Sequence, residues 1–131
     1  MQPKYKNKLE SKFATTYNLP YETHKFKYVI EHTYTPDWVI TDNIFMETKG
    51  RWESSDRTKI AQVLKQNPTI QVIMIFQNPN AKLSKTSSTT YAQWCDKHNV
   101  KWFDIKNTTA IQKFITFNQN NVIYYPNETI P

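Results

Sequence analysis

Glycine occurs once in the 131 residues, at Gly50, and cysteine once, at Cys95. A single glycine cannot build a glycine-rich phosphate loop, so Walker-type and Rossmann-type sites are excluded and no nucleotide cofactor is expected. A single cysteine excludes an internal disulfide, as fits a reducing compartment. Long apolar runs are also missing. The longest, Val72–Phe76, falls far short of the roughly 20 residues that cross a bilayer. Met1 to Lys12 is polar and basic, which lacks the apolar stretch of a secretory signal, so a cytoplasmic protein is expected.

What is present is one domain's length of chain with a formal charge of +6, a balance that favours an acidic partner. Leu9, Phe13 and Tyr17 recur at helical spacing and predict a helix over 8–17, ahead of Pro20. Phe26, Tyr28 and Ile30 alternate with polar residues as a half-buried strand does. Two more strands are expected at Asp37–Ile40 and Ile44–Lys49, joined by Thr41-Asp42-Asn43. Ser54 or Ser55 caps a helix running to about Gln66, with Ile60, Val63 and Leu64 on its apolar face. Ile70–Phe76 reads as a central strand covered on both faces. Tyr91, Trp94, Cys95 and His98 lie at helical spacing. Val100–Phe103 is a further strand and Ala110–Phe117 a last helix. The order α-β-β-β-α-β-α-β-α suggests an α/β fold around a small mixed sheet flanked by helices, within one domain over 1–117. The segment 118–131 is expected to be a polar tail.

The chemistry concentrates in 32–37 and 44–50. Glu47 and Lys49 are two apart on a strand and face the same side. With a three-residue loop at 41–43, Asp37 lies opposite Glu47, and the other face pairs Trp38 with Met46 and Ile40 with Ile44. Converging carboxylates repel unless a cation or proton lies between them. An all-oxygen site suits a hard cation such as Mg²⁺, with Mn²⁺ as a substitute. A neighbouring lysine then serves the water that attacks a phosphodiester. An Asp and a Glu-x-Lys on a hairpin are also common as solvated surface residues. Here, however, they interrupt an apolar strand pair, with Pro36 before the Asp and Gly50 after the Lys.

Pro36-Asp37, nine residues, then Glu47-Thr48-Lys49 is the PD-(D/E)xK nuclease pattern. His-Thr-Tyr-Thr-Pro-Asp at 32–37 and Ile-Phe-Met-Glu-Thr-Lys-Gly-Arg-Trp-Glu-Ser at 44–54 resemble the phage endonuclease I family of Holliday-junction resolvases. Asp56-Arg57-Thr58-Lys59 continues the likeness, and weaker similarity runs from Leu9-Glu10 to Lys101-Trp102-Phe103. The resemblance implies that Asp37, Glu47 and the Thr48 carbonyl are metal ligands and that Lys49 serves the nucleophile. It also implies that Glu10 joins the catalytic set near a second ion. Glu10 shares a helix face with Phe13 and Tyr17, so it is expected to point inwards. The family implies a segment-swapped homodimer, with residues 1–30 exchanged, acting on branched duplex DNA in the host cytoplasm. Two departures stand out. Only Glu31 separates Tyr28-Val29-Ile30 from His32-Thr33-Tyr34, and the tail from Asn118 carries no basic residue.

Candidate DNA contacts are Lys4, Lys6, Lys8 and Lys12 in the basic entry segment, Arg51, Arg57 and Lys59 past the catalytic strand, and Lys82 and Lys85 in a polar loop. His32 reads either as a phosphate contact or as a strand-end structural residue. No recognition helix is evident, so structure-selective binding is expected. Cys95 and His98 form a lone C-x-x-H without a second pair, so core packing is expected for Cys95 rather than zinc. Trp38, Trp94 and Trp102 are assigned to the core, with Trp52 the least certain. Three rival readings are a related nuclease acting on linear DNA, a basic DNA-binding module without catalysis, and an RNA-binding protein.

Overall fold

A computed structural model of the chain describes residues 4–120. It divides into two compact units, Met1–His32 and Thr33–Pro131.

The first unit contains α1 (Lys8–Thr16). Asn7 caps it, its side-chain oxygen accepting from the Glu10 N–H at 2.9 Å, and Tyr17 closes it through Phe13 O at 2.9 Å. Phe13 and Tyr17 touch ring to ring, centroids 4.6 Å apart. The helix buries none of its residues, so Leu9, Phe13 and Tyr17 line an exposed apolar stripe. The strand expected from Phe26, Tyr28 and Ile30 does not form. These residues belong to no strand among the described residues, and all three side chains are exposed. Alternation states which face a strand would bury, but a strand also needs a neighbour to complete its ladder.

The second unit is a four-stranded mixed sheet flanked by helices. In chain order it holds β1 (Trp38–Thr41), β2 (Ile44–Lys49), α2 (Ser54–Gln66), β3 (Gln71–Phe76), α3 (Tyr91–Lys97), β4 (Trp102–Asp104) and α4 (Thr108–Asn120). The sheet order is β1-β2-β3-β4; β1 and β2 are antiparallel, the rest parallel. β3 runs between two neighbours and is buried from Val72 to Phe76, as its unbroken apolar run requires.

The two faces of the sheet have separate cores. Val72, Met74 and Phe76 pack with Trp52, Ile60, Tyr91, Cys95 and Val100 beneath α2 and α3. Met46, Ile73 and Ile75 pack on the other face against Phe103 and the α4 residues Ile111, Phe114 and Ile115. Each such buried apolar side chain stabilises the fold by about 1.5–3 kcal/mol. Thr90 and Gln93 form a reciprocal capping box that starts α3, and Asn99 ends it at φ 58°, a left-handed conformation asparagine tolerates.

Several local expectations need correction. The α2 cap is Glu53 rather than Ser54 or Ser55, with the Asp56 carboxylate accepting from the Glu53 N–H at 2.9 Å. The β1–β2 turn is Asp42-Asn43, because Thr41 stays in the strand. A bulge at Ile40 makes Thr41, not Ile40, the partner of Ile44. The Thr41 hydroxyl draws the turn in by accepting from the Asn43 N–H at 3.3 Å. Trp38 does pair with Met46, yet it is 57% exposed on an edge strand, while Trp52 is 1% exposed. The core assignment of Trp38 therefore fails, and Trp52, the least certain of the four, lies in the core. β4 starts at Trp102 rather than Val100. α4 runs to Asn120, so residues 118–120 are helical. The rest of the expected tail lies outside the described residues.

Candidate active site

Asp37 directly precedes β1, and Glu47, Thr48 and Lys49 end β2. Glu47 pairs with Met74 and Lys49 with Phe76 across β3. Both side chains therefore lie on the sheet face covered by α2 and α3. The ladder to β1 stops at the Trp38–Met46 pair, which leaves the last residues of β2 without a strand on that side. Asp37 fills the gap: its Oδ2 accepts from the Thr48 N–H at 3.0 Å and from the Thr48 hydroxyl at 3.1 Å. Lys49 O accepts from Gln77 N at 3.0 Å and so faces β3. By alternation, the Thr48 carbonyl faces the opposite edge, beside Asp37.

Glu47 is 8% exposed, which is unusual for a carboxylate. Its Oε1 accepts from the Tyr34 hydroxyl at 2.9 Å and from the Asp37 N–H at 3.3 Å. Tyr34 packs against the core beside it. Burial, then the hydrogen bond to Glu47, raises the Tyr34 hydroxyl above the ordinary tyrosine range, so it remains a donor. Lys49 Nζ lies 3.8 Å from Glu47 Oε2 and 3.6 Å from Asp56 Oδ1.

These donors suit a hard cation. Two carboxylates and a strand-end carbonyl meet at one edge, all oxygen, as Mg²⁺ prefers. Among the described residues, Asp37 Oδ1 makes no hydrogen bond, and Glu47 Oε2 makes none beyond its ion pair with Lys49. Among the described residues, no three His, Cys, Asp or Glu side chains gather as a metal cluster. Any further ligands to a cation here would be backbone oxygen, water or groups from elsewhere.

The other expected residues are placed as follows. Glu10 lies in the first unit. Its Oε1 accepts from the Tyr21 hydroxyl at 2.6 Å and the Lys6 N–H at 2.9 Å, bonds that hold its carboxyl below the usual range. It does not project from a buried helix face, since α1 has none. Lys6 is paired with Glu22 at 2.9 Å, while Lys4, Lys8, Lys12 and His32 are exposed. His32 stands in no strand. Arg51, Arg57, Lys82 and Lys85 line one open cleft of about 640 Å³, together with Trp52 and the start of α2. Lys59 is exposed further along α2 and does not line it. Arg57 is partly committed, donating to Trp52 O at 2.7 Å.

Sequence reasoning passed over two residues of this neighbourhood, Tyr34 and Asp56. For Asp56, the capping-box spacing from Glu53 signals a helix cap but not nearness to Lys49. Tyr34 had no signal beyond nearness to Pro36. No helix among the described residues is long and apolar enough to cross a membrane.

Comparison with known proteins shows the family. Residues 1–116 match the family described as phage endonuclease I. Endonuclease I of Escherichia phage T7 is 40% identical over 107 residues, covering 79% of this chain and 70% of that protein. Endodeoxyribonuclease 1 of Enterobacteria phage T3 is 37% identical over 107 residues, covering 79% of this chain and 68% of the relative. With Asp37, Glu47 and Lys49 gathered at the end of one hairpin and the match running through all of them, the chain belongs to the phage endonuclease I family.

Proposed function

We propose that this chain is a Mg²⁺-dependent, structure-selective DNA endonuclease that resolves four-way junctions and other branched DNA by phosphodiester hydrolysis. The observation that carries this reading is the meeting of Asp37, Glu47 and Lys49 around the Thr48 backbone.

Asp37, Glu47 and the Thr48 carbonyl would hold the cation, Mg²⁺ or Mn²⁺. Glu10 is kept as the fourth catalytic residue, near a second ion, on the strength of the family resemblance alone. A divalent cation bound there supplies charge neutralisation at a phosphodiester and lowers the pKa of attacking water. Lys49 places a positive charge beside the same carboxylates, where the reacting phosphate gains negative charge. Tyr34 and the Asp37 N–H hold Glu47 in one orientation. The cleft lined by Arg51, Arg57, Lys82 and Lys85 offers positive charge to a DNA backbone. Such contacts read phosphates rather than bases, which supports selection by shape.

A homodimer is part of the proposal. A junction needs two cuts, and the first unit exposes Leu9, Phe13, Phe26, Tyr28 and Val29, more apolar surface than a lone small unit usually leaves in water. In this reading the host cytoplasm is the place of action.

The test compares a four-way junction with the matched linear duplex, in Mg²⁺ and in EDTA. Paired nicks on the junction alone, dependent on metal, are expected. Glu47→Ala is expected to bind the junction without cutting it. Equal cutting of both DNAs would leave a general nuclease. Binding without cutting in any divalent metal would leave a DNA-binding module.

A further inference from the structure

We propose that Asp56 is a positioning residue for Lys49, holding its ammonium in place when Glu47 is engaged by a cation; the inference rests on the endonuclease reading above. Lys49 stands between two carboxylates, Glu47 on its own strand and Asp56 in the first turn of α2. A divalent cation on Glu47 repels the ammonium and competes for the same carboxylate. If Glu47 were the only anion nearby, the long, flexible lysine stem would let the ammonium swing to solvent. Asp56 lies outside the pair of carboxylates that would take the cation, so its charge stays available to Lys49.

The geometry equips Asp56 for that task. Its Oδ2 is tied to the Glu53 N–H at 2.9 Å as part of the helix cap, which fixes the side chain and leaves Oδ1 towards Lys49 at 3.6 Å. The start of α2 is itself anchored. Trp52 is 1% exposed, and its backbone N–H donates to the Tyr91 hydroxyl at 3.1 Å. The Asp56 side chain is 25% exposed and that of Lys49 28%, so the pair is partly withdrawn from water and less screened than a surface pair.

Asp56→Asn separates the two roles, because an amide oxygen still caps Glu53 while the charge is lost. Lys49 labelling by an amine-acylating reagent, read by mass spectrometry in Mg²⁺ and without DNA, is expected to rise several-fold while Lys59 and Lys82 stay as in wild type. Turnover of junction DNA is expected to fall about 10- to 100-fold, with unchanged junction affinity and thermal midpoint and partial recovery in Asp56→Glu. Unchanged Lys49 labelling, or wild-type turnover, would overturn the proposal. So would a loss of turnover matched by an equal loss of affinity or thermal stability. If wild-type protein cut no DNA while Lys49 labelling still rose, the endonuclease reading would fall and take the catalytic purpose of the contact with it, leaving a structural ion pair.

Discussion

Asp37 stands in for a strand. Its Oδ2 takes both the backbone N–H and the hydroxyl of Thr48, the place a further β1 residue would otherwise occupy. One carboxylate therefore closes the hairpin and faces the edge where the proposed cation would lie.

The two duties of Asp37 separate in a substitution. Asp37→Asn keeps an oxygen for Thr48 and should change folding stability by less than about 1 kcal/mol. Junction cleavage should fall by about 10²-fold or more. Urea denaturation beside a cleavage assay checks both; a variant that cut at the wild-type rate would remove Asp37 from the site.

Trp52 should matter more for stability than its polar surroundings suggest. It touches Phe76, Tyr91 and Trp94, with ring centroids between 4.9 and 5.8 Å away. Trp52→Ala should cost about 3–5 kcal/mol, measured by urea unfolding. Its indole N–H has no partner among the described residues, so Trp52→Phe gives up no hydrogen bond and should cost clearly less. Trp38→Ala, on the exposed edge, should cost less than either.

The cleft cations should show themselves in the salt dependence of DNA binding. If Lys82 and Lys85 each meet a phosphate, replacing either with Ala lowers the slope of log K against log salt by about 0.9. Gel shifts at several salt concentrations measure it. Lys59→Ala, outside the cleft, serves as the comparison and should leave the slope unchanged.

Cys95 is fully buried, and burial, with Asp96 beside it, pushes its thiol from 9.0 up to about 12. Native protein should therefore resist alkylation at about pH 8, while unfolded protein reacts. The sign of the linked stability follows. Between about pH 9 and 12 the unfolded thiol loses its proton and the folded one keeps it, so the unfolded state binds fewer protons and stability falls as pH rises. Urea titrations on either side of pH 9, with Cys95→Ala as reference, isolate this contribution.

Much of the second unit was legible because its patterns are self-contained. The unbroken run Val72–Phe76 is typical of a covered strand, and Glu47 and Lys49 share a face by simple alternation. What escaped depends on partners distant in sequence. Whether 26–30 becomes a strand depends on a neighbour that alternation does not supply. Trp38 and Trp52 look alike as letters, yet one lies on a sheet edge and the other beneath α2 and α3. Asp56 belongs to the neighbourhood of Lys49 only because α2 starts where Trp52 anchors it. The carboxylates that a metal would need announce themselves through motif spacing, whereas the group that steadies the lysine does so only in three dimensions.

The parallel pairing of β2 with β3 has a consequence for the order of synthesis. Asp37, Glu47 and Lys49 all leave the ribosome before Val72–Phe76, the strand on which β2 must lie, and before Tyr91, Cys95 and Val100, which complete the core beneath it. A nascent chain thus carries these charged residues well before it can arrange them, since domains generally fold as units. Under the endonuclease reading, a half-finished copy would therefore carry the residues of the site without the strand and core that hold them together.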